Sequence, residues 1–151
     1  MKKIFVLFSV IGILCAAPAF VHAGSGHEHE KSGGPKGGRL LEGTQPKAEF
    51  FVEKDNTATV TFYDETLKPV AVSGQSVTVV AETGGKKTTV EFEKKGDALV
   101  SKGPLPEEHA LNLVVRVLQT AEAKPLNFRF VYEDHVCGTC KRAEYACICA
   151  H

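Results

Sequence analysis

The chain has 151 residues with 18 basic and 18 acidic side chains, a formal charge of zero and a pI near 7.0. That balance excludes the basic footprint of a nucleic-acid binder. The length suits a single domain with a sizeable core.

The first residues have the three parts of a secretory signal. Lys2 and Lys3 give a positive start, Ile4 to Ala17 is apolar and uncharged, and Val21-His22-Ala23 is a small-residue exit. This predicts a signal peptide over residues 1–23, cleaved after Ala23. The apolar run is shorter than the roughly 20 residues of a spanning helix, and Pro18 interrupts it, so no membrane segment is expected once the signal is removed. Lipid attachment at Cys15 is the weaker reading, because bulky Leu14 stands where a small residue is expected. The lysine pair points to a bacterial signal and hence to a periplasmic or secreted protein. The mature chain loses Lys2 and Lys3 and carries a formal charge of −2. It keeps four cysteines, all between Cys137 and Cys149.

Residues 24–46, rich in glycine, read as a disordered lead that adds nothing to the fold. From residue 47 the pattern has period two. Ala48, Phe50 and Val52 alternate with Glu49, Phe51 and Glu53, and Val60 and Phe62 alternate with threonines. Lys54-Asp55-Asn56 between them is turn chemistry, so 47–63 is expected to be a hairpin. Pro69–Val72 suits a short edge strand. Further strands are expected around Val77–Ala81, Val90–Phe92, Ala98–Ser101, Leu111–Val117 and Leu126–Tyr132. Gly84-Gly85 and Gly96-Asp97 turn the chain, and Gly103, Pro104 and Pro106 mark a loop. Seven to eight strands at intervals of roughly ten residues predict an all-β, antiparallel, immunoglobulin-like β-sandwich over 47–132. Phe50, Phe62, Phe92, Phe128 and Phe130 are read as core filling, and the acidic residues on alternating strands as solvent faces.

The segment 133–151 carries the chemistry. It reads His135-Val136-Cys137-Gly138-Thr139-Cys140, a six-residue spacer, then Cys147-Ile148-Cys149-Ala150-His151. It has no hydrophobic periodicity, so a short irregular tail is expected, independent of the domain before it. A C-x2-C turn lets two thiolates converge on one ion, and a second pair completes a tetrahedral sulfur site. Cys137, Cys140, Cys147 and Cys149 are the candidate ligands, with His151 and His135 as substitutes or outer partners. Thiolates suit Zn(II) and Cu(I) alike. The C-x-C half is commoner in copper clusters, and the spacer is short for a zinc ribbon. The competing reading is a pair of disulfides across the spacer, such as Cys137 with Cys147 and Cys140 with Cys149. His27 and His29, two apart in an extended lead, form a second candidate metal pair.

Other features carry less. His109 beside Glu107 and Glu108 is a lone loop histidine, and Gly84-Gly85-Lys86-Lys87-Thr88 lacks the upstream glycine of a phosphate loop, Val80 standing there. No Ser-His-acid order, nucleophile elbow or βαβ context for a thioredoxin-like Cys pair is found, so no enzyme is expected.

Gly34-Pro35-Lys36-Gly37-Gly38-Arg39-Leu40, preceded by His27-x-His29, resembles the leader of periplasmic adaptor proteins of heavy-metal efflux pumps. The body, with Thr59–Phe62, Lys68-Pro69-Val70 and Leu111–Val117, is similar to small exported immunoglobulin-like domains. The chain lacks the helical hairpin and lipoyl-like halves of an adaptor. The resemblance implies a heavy-metal context and a component of a metal-efflux system as partner.

The sequence therefore reads as an exported, non-enzymatic protein that binds Cu(I) or Zn(II) for sequestration or delivery. The alternative is a structural or interaction module with a disulfide-stapled tail. Mass spectrometry of the natively produced protein should find Gly24 at the amino terminus. Met1 retained, or a lipid on Cys15, would overturn export.

Overall fold

The structure, a computed structural model, describes residues 33–149. The expected signal peptide, Cys15, His27, His29 and His151 lie outside the described residues. Nine strands run in order: β1 Arg39–Leu41, β2 Lys47–Val52, β3 Thr57–Tyr63, β4 Pro69–Val70, β5 Ser76–Thr83, β6 Lys86–Lys95, β7 Ala98–Pro104, β8 Leu111–Leu118 and β9 Leu126–Tyr132. A single 3-10 turn follows at Glu144–Ala146. Among the described residues no helix is long and apolar enough to cross a membrane.

The fold is all-β and antiparallel, as the alternation predicts. The strand order is β1-β2-β3-β7-β6-β5-β8-β9, with β4 paired to β3. β6 bends the sheet onto itself. Its Lys86–Glu91 half pairs with β5, and its Phe92–Lys95 half pairs with β7, so one strand belongs to both layers. The result is a near-barrel sandwich whose first and last strands, β1 and β9, face each other across a seam. The turn between β5 and β6 needs two residues at positive φ, and Gly84 (53°) and Gly85 (79°) supply them without strain.

The inward faces follow the sequence periodicity. β8 alternates strictly, with Leu111, Leu113, Val115 and Val117 buried. Phe50 and Phe62 are fully buried, while Phe92, Phe128 and Phe130 pack half-buried against them. Leaving no side-chain polar atom buried without a partner, the described residues also satisfy their interior hydrogen bonding.

Two expectations are corrected. The segment read as a disordered lead is ordered from Gly33 to Pro46. It contains β1, which adds a ninth strand to the seven or eight expected and buries Leu41. The glycines fail to disorder the chain because they permit close backbone approach. The Gly34 amide donates to the Gly38 carbonyl (2.9 Å) and the Gly37 amide to the Gly34 carbonyl (3.1 Å), which curls 34–38 over the outer face of β2 and β3. A Cβ on Gly34 would collide with the Glu49 carboxyl, and one on Gly38 with the Phe50 carbonyl.

Glu49 is the second correction. Its place in the alternation assigns it to solvent, yet it is 0% exposed. Oε1 accepts from the Gly38 amide (2.7 Å), and Oε2 accepts from the Lys36 amide (3.1 Å) and the Tyr63 hydroxyl (2.6 Å). Burial, then the bond to Glu49, pushes the Tyr63 phenol well above its ordinary pKa.

Glu49→Ala would strand those three donors and should destabilise the protein by about 3 kcal/mol, read from urea unfolding. Gly34→Ala should cost about 1–3 kcal/mol through the steric clash. Unchanged midpoints in both variants would exclude this loop from the fold's stability.

Candidate metal centre

After β9 the chain turns back on itself. The Cys137 amide donates to the Arg142 carbonyl (2.8 Å), the Lys141 amide donates to the Cys137 carbonyl (3.1 Å), and Val136 bridges Ala143. This is a miniature hairpin with Gly138 and Thr139 at its tip. Lys141 takes φ of 60°, uncommon for a residue with a side chain, and its Nζ donates to the Gly138 carbonyl at 2.7 Å. The Glu144 amide then donates to the His135 carbonyl (2.9 Å). The 3-10 turn reverses the chain through the Cys147 amide to the Glu144 carbonyl (3.0 Å), bringing Cys147 and Cys149 back against Cys137 and Cys140.

The four Sγ atoms all lie within 4.8 Å of one another. Cys140 and Cys147 sulfurs are 3.6 Å apart, and those of Cys137 and Cys149 are 4.0 Å apart. A zinc–sulfur bond of about 2.3 Å sets the edge of a tetrahedron at about 3.8 Å, so these spacings suit a single ion. They are too long for a disulfide, whose sulfurs stand about 2.05 Å apart, and none of the four cysteines is in one. The cluster can hold a metal ion. Cys137 and Cys147 are buried, and Cys140 and Cys149 are half-buried.

Backbone donors point at the sulfurs, which is what a thiolate requires. Amides of Cys140 and Thr139 lower the Cys137 pKa. Amides of Ile148 and Arg142 bring Cys140 down to about 6. The Cys149 amide donates to the Cys147 sulfur at 3.4 Å. At Cys147, desolvation and hydrogen bonds shared with the other sulfurs outweigh that amide and push its thiol up to about 12. Desolvation likewise raises Cys149. Backbone donors thus favour the thiolate at Cys137 and Cys140, and desolvation favours the protonated thiol at Cys147 and Cys149.

The structure thus brings together all four predicted cysteines. It does not bring His135 to them: its side chain is exposed and only its carbonyl is engaged. His109 is exposed in the loop after β7, away from the cluster.

The tail is not an appendage, contrary to expectation. Tyr145, in the spacer read only for its length, is 5% exposed and belongs to the core. Its ring meets Phe50 of β2 edge-on (6.2 Å), stacks on Phe130 (6.3 Å) and tilts against Tyr132 (5.1 Å) of β9. Its hydroxyl accepts from the Val52 amide at 3.0 Å. Arg39 of β1 completes the seam, its guanidinium 4.7 Å from the Phe130 ring centre and its Nη1 donating to the Tyr145 carbonyl at 3.3 Å. Arg142 Nη1 donates to the carbonyls of Gly34 (3.1 Å) and Gly38 (3.4 Å), tying the cysteine hairpin to the glycine loop. An aromatic flanked by alanines between two cysteine pairs, Ala143-Glu144-Tyr145-Ala146, was the one sequence signal for this anchor.

No family model, curated protein or solved structure matches the chain.

Tyr145→Ala should lower stability by about 3 kcal/mol, because it empties a core position between two strands. Tyr145→Phe should cost about 1 kcal/mol and speed hydrogen exchange at the Val52 amide, its lost partner. If Tyr145→Ala melts like the parent protein, the tail is independent of the sheet.

Proposed function

We propose that this is an exported, non-enzymatic metal-binding protein, in which Cys137, Cys140, Cys147 and Cys149 hold one soft ion for sequestration or delivery in heavy-metal homeostasis. The observation that carries this reading is the convergence of four sulfurs within 4.8 Å, served by backbone donors. Zn(II) suits the site better than Cu(I), because the sulfur spacings match a four-coordinate tetrahedron. The resemblance of 34–40 to efflux-adaptor leaders favours a periplasmic or secreted setting and an efflux component as partner. The structure of 34–38 gives those glycines a second, purely structural reason to be present.

A second reading has an observation of its own. The anchoring of Tyr145 between β2 and β9 favours a structural staple, with the tail securing a protein-interaction module. In this second reading disulfides, in place of an ion, order the hairpin and hold the tyrosine. The readings part over whether the cysteines take up metal at all.

Elemental analysis of protein isolated from its native compartment should give one ion per chain. The Cys137→Ser/Cys140→Ser double variant should lose it, and His135→Ala should keep it. Binding should release protons at neutral pH, those of the raised Cys147 and Cys149 thiols among them. Affinity falls as pH falls, because protons compete for the sulfurs. It should fall more steeply below about pH 6, where Cys140 too becomes protonated in the free protein. Protein isolated with no free thiols that still takes up no zinc after reduction would sink this reading in favour of the interaction module.

A further inference from the structure

All four sulfurs lie within 4.8 Å of one another, and two of their contacts join a half-buried cysteine to a buried one. Cys140, half-buried, stands 3.6 Å from buried Cys147, and Cys149, half-buried, stands 4.0 Å from buried Cys137. Each pair joins a more exposed cysteine to a buried one. Thiol–disulfide exchange uses that division, one more exposed cysteine to meet an oxidant and a sheltered neighbour to finish the reaction.

We propose that the cysteine cluster is a thiol–disulfide switch, which an organic disulfide oxidises to the two bonds Cys140–Cys147 and Cys137–Cys149, setting the metal ion free. For the ion it rests on the metal-binding reading; for the sulfur pairing it does not. The Cys140 thiolate attacks one sulfur of the oxidant, forming a mixed disulfide and expelling one thiolate. Cys147 then attacks the Cys140 sulfur, closing the protein disulfide and expelling the second. Cys149 and Cys137 repeat the sequence. Four protein thiolates are oxidised and two molecules of oxidant are reduced to four thiolates. The ion leaves with its charge unchanged, because its ligands have become neutral disulfides.

The competing pairing within each half, Cys137 with Cys140 and Cys147 with Cys149, is poorer, and the crossed pairing of Cys137 with Cys147 and Cys140 with Cys149 is the one the peptide map has to exclude. Closure within Cys147-Ile148-Cys149 strains a three-residue ring. Once Cys140 is joined to Cys147, the partners that remain are Cys137 and Cys149, already 4.0 Å apart. Both bonds need the sulfurs to close by only about 2 Å. The Cys140–Cys147 bond spans the segment that carries Tyr145, so it holds the tyrosine in the seam. The switch changes the capacity for metal and spares the fold.

The test uses the full mature chain, thiol-reduced and loaded with zinc, and glutathione disulfide as oxidant. Peptide mapping should find Cys140 linked to Cys147 and Cys137 linked to Cys149. A chromogenic chelator should register one zinc per chain, and dithiothreitol should restore four thiols and zinc uptake. In Cys147→Ser a glutathione adduct should persist on Cys140, and in Cys137→Ser on Cys149. A Cys137–Cys140 link, stable adducts on all four sulfurs of the parent protein, or thiols that resist the oxidant would each overturn the inference. Metal-free protein treated in parallel separates the two claims. Stoichiometric zinc with any other pairing refutes the switch and leaves the metal site. The stated pairing in a protein that takes up no zinc refutes the metal site and supports the pairing.

Discussion

A carboxylate sunk into the outer face of a β-hairpin is an expensive thing to build, since burying it without partners would cost several kcal/mol. Glu49 is held there by two backbone amides and a phenol, and the amides come from a loop that can approach only because it lacks side chains. The position of that loop decides much else. Its carbonyls at Gly34 and Gly38 accept from Arg142, and Arg142 lies in the stretch between the two cysteine pairs. The exit of the loop is β1, whose Arg39 reaches across to Phe130 and the Tyr145 carbonyl. Loss of the Glu49 interaction would therefore be felt at the cysteine hairpin as well as in the hairpin of β2 and β3.

The second constraint is the seam. A sheet that folds over at β6 leaves its first and last strands facing each other, and no pairing joins β1 to β9 among the described strands. Edges of this kind invite pairing with other chains unless covered. Here a tyrosine from the tail fills the gap, using its ring against β2 and β9 and its hydroxyl on the Val52 amide. The described tail buries Tyr145 and Ala146 besides two cysteines, with Ala143 packed against the core, while Val136 near the hairpin tip stays exposed. Sulfur–metal bonds, or the disulfides that replace them, would add order within the hairpin.

The body of the fold was legible because its signal is local. Period-two alternation in Leu111–Val117 and Leu126–Tyr132, and the turn chemistry at Asp55-Asn56 and Gly84-Gly85, survive in the structure as strands and turns where they were expected. The four cysteines were legible as a set because metal-ligand spacing is also a local property. Glu49 was not, because alternation assigns each residue a face and says nothing of what covers that face. β1 was missed for a related reason: three residues, Arg39-Leu40-Leu41, are too few to show a period, and glycine-rich sequence before them has the composition of a linker. Tyr145 lay hidden in a spacer whose burial depends on strands far away in sequence.

These misses share a cause, and it bears on what the cysteine cluster is for. A site on a loose tail would exchange its ion at the rate the tail rearranges, and nothing in the body would respond. A hairpin pinned by Tyr145 to β2 and β9, and by Arg142 to the loop over Glu49, is pre-organised, so less ordering opposes binding. The linkage works in both directions: whatever stabilises the seam favours metal, and metal favours the closed seam. Cargo and staple are then two descriptions of one equilibrium, and their balance is set by how much of the hairpin's order survives when the sulfurs are empty. The backbone amides aimed at Cys137 and Cys140 provide part of that order without an ion, which leaves Cys147 and Cys149, the sulfurs with raised pKa, as the half of the site where metal competes hardest with protons.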